Sequence, residues 1–262
     1  MPYGLFFETQ SYMAHAALGF ARTAPVFFML PFLNNNVLSG IVRSSVIILV
    51  AVSVWPFAIE DIASEKELFN FSGFAKEVII GLLLGCLLSW PFWVFHALGC
   101  MFDNQRGATL SSSIDPANGV DTSEMANFLN FFSAAIYLQN DGMLVILETL
   151  QYSYQLCHPA TDCIPSLPPL LSFINRITAK SLILASPVLV VLLLAEMMLG
   201  LLSRFAPQMN AFAVSLTVKS VLALFVLLVY FSPMLSTSVL EISSAVSFSD
   251  IWVHKISNYY GE

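Results

Sequence analysis

The segment from Met101 to Met125 is polar and rich in small side chains, yet strongly apolar sequence lies on both sides of it. Hydrophobic residues make up 57% of the chain and charged residues only 10%. Unpaired backbone groups are costly in hydrocarbon, so such a loop must face water, other protein or a water-filled cavity. Asp115-Pro116 is typical of a helix start, and Asp121-Thr122-Ser123-Glu124 resembles a capping box. We therefore predict an ordered loop with a function.

The rest of the sequence is typical of an integral membrane protein or a membrane-complex subunit. The mean hydropathy is +0.78, and most of six apolar stretches reach the roughly 20 residues that span a bilayer. The net charge of −7 argues against a nucleic-acid partner. The N-terminal sequence MPYGLFFETQ has neither a basic region nor a small-residue cleavage site, so no removable signal peptide is expected. The six stretches are 14–33, 41–59, 78–101, 125–147, 177–202 and 211–235.

Local patterns predict how some of these stretches pack and where they break. Gly81, Gly85 and Ser89 recur every four residues, which allows another helix to approach closely. Pro91 predicts a kink in the same stretch. The turn sequence from Gln139 to Gly142 interrupts the fourth stretch, so we expect two shorter helices there in place of one span.

Several polar groups lie inside apolar sequence, where they are costly against lipid. Arg22 is expected to face protein or water, with snorkelling or pairing to a carboxylate such as Glu8 as the alternative. Glu196 and Lys219 are expected to pair across a helical hairpin, and a proton-relay role for Glu196 is the lesser alternative. Most of these groups are expected to face neighbouring subunits or other protein. They are Arg22, Asn127, Asn130, Glu196 and Lys219.

The Pro-rich sequence LCHPATDCIPSLPP contains Cys157 and Cys163. Their spacing allows a disulfide in an oxidising compartment. Free thiols are an alternative, and a metal site using His158 and Asp162 is a weaker one. The other two cysteines, at positions 86 and 100, lie in apolar sequence and are expected to be packing residues.

No signature of catalysis or cofactor binding appears in the sequence. The zinc-protease, phosphate-binding, serine-hydrolase and Cys-x-x-Cys motifs are absent. The four histidines, at positions 15, 96, 158 and 254, are widely scattered. We expect no enzyme activity, no cofactor and no metal.

Two motifs carry a resemblance to a known family. The first is Phe102-Asp103-Asn104-Gln105-Arg106-Gly107-Ala108-Thr109, followed by Ser-rich sequence and Asp115-Pro116. The second is the turn Arg204-Phe205-Ala206-Pro207-Gln208-Met209-Asn210. Together they closely resemble the SctT/SpaR/FliR family of export-apparatus proteins, found in type III secretion systems and flagella. The resemblance covers essentially the whole chain, and it is greater to the SpaR branch of the injectisomes than to the flagellar branch.

The resemblance implies an all-α, polytopic subunit of a membrane complex. Its fold would join an SctR-like helical part, residues 1–155, to an SctS-like C-terminal hairpin, residues 177–235. A Pro/Cys loop at 156–176 would connect them, and residues 236–262 would form a tail. The expected location is the bacterial inner membrane, within the base of the secretion system and raised towards the periplasm.

The resemblance also implies partners and site residues. One copy would assemble with five SctR-like and four SctS-like subunits, with an SctU-like protein at the cytoplasmic entrance, and unfolded substrates would pass through the gate. The loop 102–122 would contain a pore plug, and the turn after the fifth stretch would be the cytoplasmic hairpin tip. The plug residues are Arg106, Gly107, Ala108, Thr109, Leu110, Ser111, Ser112, Ser113, Asp115 and Pro116. The tip residues are Arg204, Pro207, Gln208 and Asn210.

Three other functions compete with an export gate. A small-solute transporter would need charged groups converging on one cavity and an inverted repeat, which the sequence does not show. A membrane enzyme would need a catalytic constellation. An assembly scaffold would nucleate the export apparatus without lining its pore.

Overall fold

The computed structural model describes residues 2–33, 37–56, 71–107, 123–159, 167–205, 211–230 and 237–238. In these ranges the regular structure is helical. The helices, in chain order, are α1 (Pro2–Met29), α2 (Gly40–Val54), α3 (Phe71–Arg106), α4 (Glu124–Gln139), α5 (Gly142–Leu156), α6 (Leu167–Phe205) and α7 (Ala211–Tyr230), with a 3₁₀ turn at Pro31–Leu33.

Helix ends follow the local sequence. Helix α2 stops at Val54 because Pro56 disfavours a helical conformation at Trp55, which is extended with ψ 113°. Helix α3 stops at Arg106 because Gly107 takes a left-handed φ of 77° and its N–H donates to the carbonyl of Asn104 at 3.1 Å. The backbone conformation of the residue after each helix therefore explains where both helices end.

The predicted break in the fourth apolar stretch is confirmed. Helix α4 ends at Gln139 and α5 begins at Gly142. Between them Asp141 adopts a left-handed conformation with φ 57°, and its carbonyl accepts from the backbone N–H groups of Leu144 and Val145. Asp tolerates this region better than most residues. Neither helix is long enough to cross a bilayer.

The chain divides into two compact units. The first contains α1, α2, α3 as far as Trp90, the end of α4 from Leu138, all of α5, and the start of α6 to Leu170. In it α1 crosses α3 closely, because a Cβ at Gly81 would lie 2.3 Å from the carbonyl oxygen of Arg22 and one at Gly85 would lie 3.1 Å from that of Pro25. The close approach expected from the small residues at these positions is confirmed.

The second unit contains α3 from Pro91, α4 to Tyr137, most of α6, and α7. Its α3 and α4 segments pack with Phe92 and Tyr137 edge to face, their ring centroids 5.3 Å apart. At Gly99 the two backbones nearly touch, since a Cβ there would lie 2.3 Å from Cα of Ala126. Any larger residue than glycine would force these helices apart.

Two helices are long and apolar enough to cross a membrane, judged by length and composition: Ser72–Arg106 and Thr178–Phe205. The apolar segments Gly40–Val54 and Val214–Tyr230 are shorter. Of the six apolar stretches, the third and the fifth therefore lie in helices that meet this criterion in the described residues. Helix α2 has only 15 residues, and the fourth stretch is divided at Asp141.

Two predicted loops are shorter than expected. Residues 102–106, assigned to the plug loop, form the last turns of α3, because the polar residues there are compatible with a helix and Gly107 ends it. Residues 167–176, assigned to the Pro/Cys loop, belong to α6. Pro168 and Pro169 fit its first turn, where a missing N–H costs no helical hydrogen bond.

Candidate functional site

The predicted site residues are only partly within the described residues. Arg106 and Gly107 of the plug and Arg204 of the hairpin tip are described, at the ends of α3 and α6. Ala108 to Pro116, the tip residues Pro207, Gln208 and Asn210, and Cys163 lie outside the described residues. The site can therefore be built from the helix ends that flank the predicted plug.

Asp103 connects the two helix ends on either side of the plug segment. Its carboxylate is 1% exposed. Oδ1 accepts from Nε of Arg106 at 2.7 Å, and Oδ2 accepts from the hydroxyl of Ser123 at 2.6 Å and from the backbone N–H of Met125 at 3.1 Å. These four residues, Asp103, Arg106, Ser123 and Met125, are called the Asp103 clamp below.

Helix α4 begins at this clamp. Ser123 is its N-cap, because its hydroxyl oxygen accepts from the backbone N–H of Ala126 at 3.3 Å. Asp103 satisfies the N–H of Met125, and its negative charge is favourable near a helix N-terminus. The predicted capping box placed the cap at Asp121, which lies outside the described residues. The observed N-cap is Ser123, two residues later, and Asp103 from α3 accepts a further hydrogen bond at the start of the helix.

Asp103 is part of the first sequence motif, but neither its hydrogen bonds nor its role at the start of α4 were predicted. A usable signal was present, since an acid in the last turn of one helix and a serine just before the next can share hydrogen bonds when the helices are neighbours. The close approach at Gly99 makes them neighbours. The two ends of the predicted plug segment therefore lie together and are held by one buried carboxylate.

A buried ion pair lies in the first unit. Arg22 is 0% exposed and Glu77 is 1% exposed. Nε of Arg22 donates to Oε2 of Glu77 at 2.6 Å and Nη2 donates to Oε1 at 2.9 Å, a bidentate geometry. Arg22 was expected to face water or other protein, with Glu8 as one alternative partner. The alternative of pairing to a carboxylate is the one found, and the carboxylate is that of Glu77 in place of Glu8.

Further contacts complete the surroundings of Arg22. Nη1 donates to the hydroxyl of Ser153 at 3.2 Å and Nη2 to the carbonyl of Cys157 at 3.0 Å. The guanidinium lies 4.0 Å from the ring centroid of Tyr154. Burial raises the pKa of Tyr154 to about 12, although Arg22 acts to lower it. The set Arg22, Glu77, Ser153, Tyr154 and Cys157 is called the Arg22 cluster below.

The Arg22 cluster fixes the start of the Pro/Cys segment. Cys157 is buried and is part of a disulfide. The amine of Lys76 donates to the carbonyl of Pro159 at 2.6 Å. Cys86 and Cys100 keep their thiols. The partner predicted for Cys157 is Cys163, which lies outside the described residues, so that pairing stays a prediction.

The expected pairing across the C-terminal helices is confirmed. Nζ of Lys219 in α7 lies 2.9 Å from Oε1 of Glu196 in α6. The lysine side chain is 10% exposed and the glutamate side chain is 55% exposed. Each of the two charges therefore has a partner within the chain.

Comparison with known proteins places the chain in a family. Residues 13–244 match the family described as bacterial export proteins, family 1. The surface presentation of antigens protein SpaR of Salmonella typhimurium is 58% identical over 255 residues, which cover 97% of each chain. The Yop proteins translocation protein T of Yersinia pestis is 30% identical, covering 82% of this chain and 85% of that protein. The flagellar biosynthetic protein FliR of Pectobacterium carotovorum is 27% identical, covering 75% and 74%.

These similarities confirm the resemblance found in the two motifs, including its greater closeness to SpaR than to FliR. The relatives are named for presentation, translocation and biosynthesis and not for catalysis, in agreement with the expectation that the chain is not an enzyme. The family match covers well over half of the chain. The chain therefore belongs to the bacterial export proteins, family 1.

Proposed function

We propose that this chain is an inner-membrane subunit of a type III secretion export gate, where it helps to form and close the channel through which unfolded proteins leave the cytoplasm. The observation that carries the proposal is the Asp103 clamp. It holds together the two ends of a polar segment that apolar helices flank. A small-residue segment attached at a fixed base suits a plug, because it can pack closely when the channel is shut and give way to an incoming chain.

The surface chemistry supports a place inside a membrane assembly. Large apolar side chains are exposed along α2, α6 and α7, including Leu49, Leu194, Met197 and Leu228. A water-soluble monomer rarely exposes extended apolar patches of this kind. Lipid and neighbouring subunits are the surroundings that such helices need.

The partners in this proposal are those that the resemblance to the family implies. By the resemblance, five SctR-like and four SctS-like subunits surround one copy of this chain, and an SctU-like protein joins at the cytoplasmic entrance. The hairpin tip around Arg204 would then face the cytoplasm, and the segment 106–119 would lie in the lumen. The C-terminal hairpin, residues 177–235, would be the SctS-like part.

Crosslinking to a stalled substrate tests whether the chain lines the channel. A photoreactive residue at Ser112 in the intact complex should crosslink to a secretion substrate arrested by a folded C-terminal domain, because a translocating chain must pass the plug. The matched control is the same residue at Glu148, on an exposed position of α5. If neither position crosslinks while the substrate is demonstrably arrested, the chain is an assembly scaffold and does not line the pore.

A further inference from the structure

Arg43 carries a buried positive charge that no anion of the described residues neutralises. It lies in the first turn of α2 and is only 7% exposed. Its Nε is buried and has no hydrogen-bond partner, and none of the ion pairs among the described residues includes it. The sequence has no acidic residue between Glu8 and Glu60. A buried charge without a partner is costly, so Arg43 needs an anion from outside the chain.

The start of α2 adds a second positive source beside Arg43. The first backbone bond of the helix runs from the N–H of Arg43 to the carbonyl of Ser39 at 3.0 Å, and Ser39 makes no side-chain capping bond. The N–H groups of Gly40, Ile41 and Val42 therefore have no helical acceptor. Side chains of a helix lean towards its N-terminus, which is its positive end. These three N–H groups and the Arg43 guanidinium are called the Arg43 site below.

Comparison with Arg22 shows what the Arg43 site lacks. Each guanidinium lies 4.0 Å from the centroid of an aromatic ring, Tyr154 for Arg22 and Phe28 for Arg43. A ring attracts the cation but does not satisfy its N–H donors. Arg22 has the Glu77 carboxylate in addition to its ring. Arg43 has the ring alone, so the missing component is an anion.

The surroundings of the Arg43 site select an anion that carries apolar chains. Val42 and Leu49 are exposed and lie seven residues apart, thus on one side of α2, and Phe28 is exposed as well. A small inorganic ion would leave these side chains in contact with water. Helix α2 has 15 residues. It is therefore roughly 22 Å long, too short to cross the hydrocarbon core of about 30 Å but long enough to lie beside the acyl chains of one leaflet.

We propose that the Arg43 site binds the phosphate of a membrane phospholipid. Phosphate groups bind readily at helix N-termini, where backbone N–H groups and the helix dipole both favour them. The guanidinium of Arg43 adds charge-assisted hydrogen bonds to the same oxygens. The acyl chains lie along Val42 and Leu49, which hydrocarbon suits. The proposal requires that the chain lies in a membrane, and it does not depend on the channel-closing function.

Photolabelling of the intact complex tests the proposal. The complex is placed in vesicles of phosphatidylcholine that contain phosphatidylglycerol with a diazirine on one acyl chain. We expect a labelled peptide from α2 that includes Val42 or Leu49. A diacylglycerol with the same diazirine has no phosphate and should label this peptide roughly tenfold less, a change equivalent to about 1.4 kcal/mol. Equal labelling by the two probes would overturn the proposal.

Substitutions at Arg43 test which group binds the phosphate. Arg43→Met should reduce the phosphatidylglycerol label by a similar factor. Arg43→Lys keeps a charge but not the planar fork of donors, so it should retain part of the label. Arg204→Met removes a charge from an exposed position at the end of α6 and is the matched control, with an unchanged label expected. A full label in Arg43→Met would contradict the assignment.

Ser39→Asp keeps the proposal testable if Arg43→Met fails to fold. A carboxylate at the N-cap position favours the start of α2. It also lies four residues before Arg43, where it supplies the guanidinium with an anion from the same chain. This variant should therefore assemble fully and lose the lipid label. Full assembly with a full label would overturn the proposal.

Two further outcomes of the photolabelling would also overturn it. The absence of an α2 label from the wild-type complex is the result expected if a carboxylate of another polypeptide neutralises Arg43. Loss of the label in a large excess of inorganic phosphate would show a site for a free ion in place of a lipid. The channel-closing function is tested separately at the plug segment, so either result would leave it standing.

Discussion

Replacing Glu77 with glutamine is expected to remove most of the chain from the assembled complex. The substitution leaves the fully buried guanidinium of Arg22 without its bidentate anion. Breaking a buried ion pair by removing one partner costs about 3–5 kcal/mol. That is a large share of the roughly 5–15 kcal/mol by which a typical protein is stable. Arg22→Met should be similarly damaging, because it leaves the Glu77 carboxylate buried and unpaired.

Replacing Arg22 and Glu77 together distinguishes the loss of the ion pair from general damage to the core. Replacing both partners by apolar residues of similar size is often neutral or stabilising. Arg22→Met with Glu77→Leu should therefore be recovered in the complex better than either single variant. Glu148→Gln removes an exposed carboxylate from α5 and serves as the control. Recovery of the chain and its thermal aggregation midpoint in detergent are the measurements, and a double variant as poor as the singles would contradict the ion-pair account.

Replacing Asp103 with alanine is expected to make resting cells leak ions while the complex still assembles. The change removes the acceptor for Arg106, for the Ser123 hydroxyl and for the Met125 N–H. A hydrogen bond to a charged group contributes about 1.5–3 kcal/mol, so the plug segment would lose its fixed base. The helix crossing at Gly99 is maintained by backbone contact and should survive.

A graded series distinguishes the clamp from general damage to α4. Ser123→Ala removes one N-cap, worth about 1 kcal/mol, and should give a smaller leak than Asp103→Ala. Ser133→Ala removes a hydroxyl that, within the described residues, donates to the carbonyl of Asn130 in the same helix, and this variant should give no leak. Ion uptake by energised cells measures the leak. A leak from Ser133→Ala equal to that from Asp103→Ala would show that the effect is not specific to the clamp.

Local sequence was sufficient where the cause of a structural feature is local. The break at Asp141, the close approach at Gly81 and the pairing of Glu196 with Lys219 could each be predicted from spacing and residue type. The sequence signals for all three lie within one stretch or within two helices joined by a short turn, although the signal at Gly81 did not identify α1 as the helix that approaches it.

The sequence was insufficient where a partner lies far along the chain. Glu77 is 55 positions from Arg22, and Asp103 is 20 positions from Ser123. Neither pairing has a periodic signature. Glu77 did carry a partial signal, because it lies four residues before Gly81 and thus on the face of α3 where the backbone of Arg22 approaches.

Helix length was also underestimated for a physical reason. Apolar runs mark the parts of a helix that are buried or in lipid, and helices α3 and α6 continue beyond those runs. Polar residues continue α3 to Arg106, and a proline-containing turn begins α6 at Leu167. Hydropathy alone cannot place such ends.

The conductance of resting complexes with an altered plug segment tests the central claim most directly. Deleting Leu110 to Ser113, or introducing Ser112→Asp, should open the resting channel, because small side chains bury little apolar area and the seal is worth on the order of a few kcal/mol. Ser112 is preferable to Gly107, where φ of 77° would strain any side chain. The account predicts ion currents from these complexes and none from wild type or Ser112→Ala. A tight membrane, with the altered chain fully assembled, would contradict it.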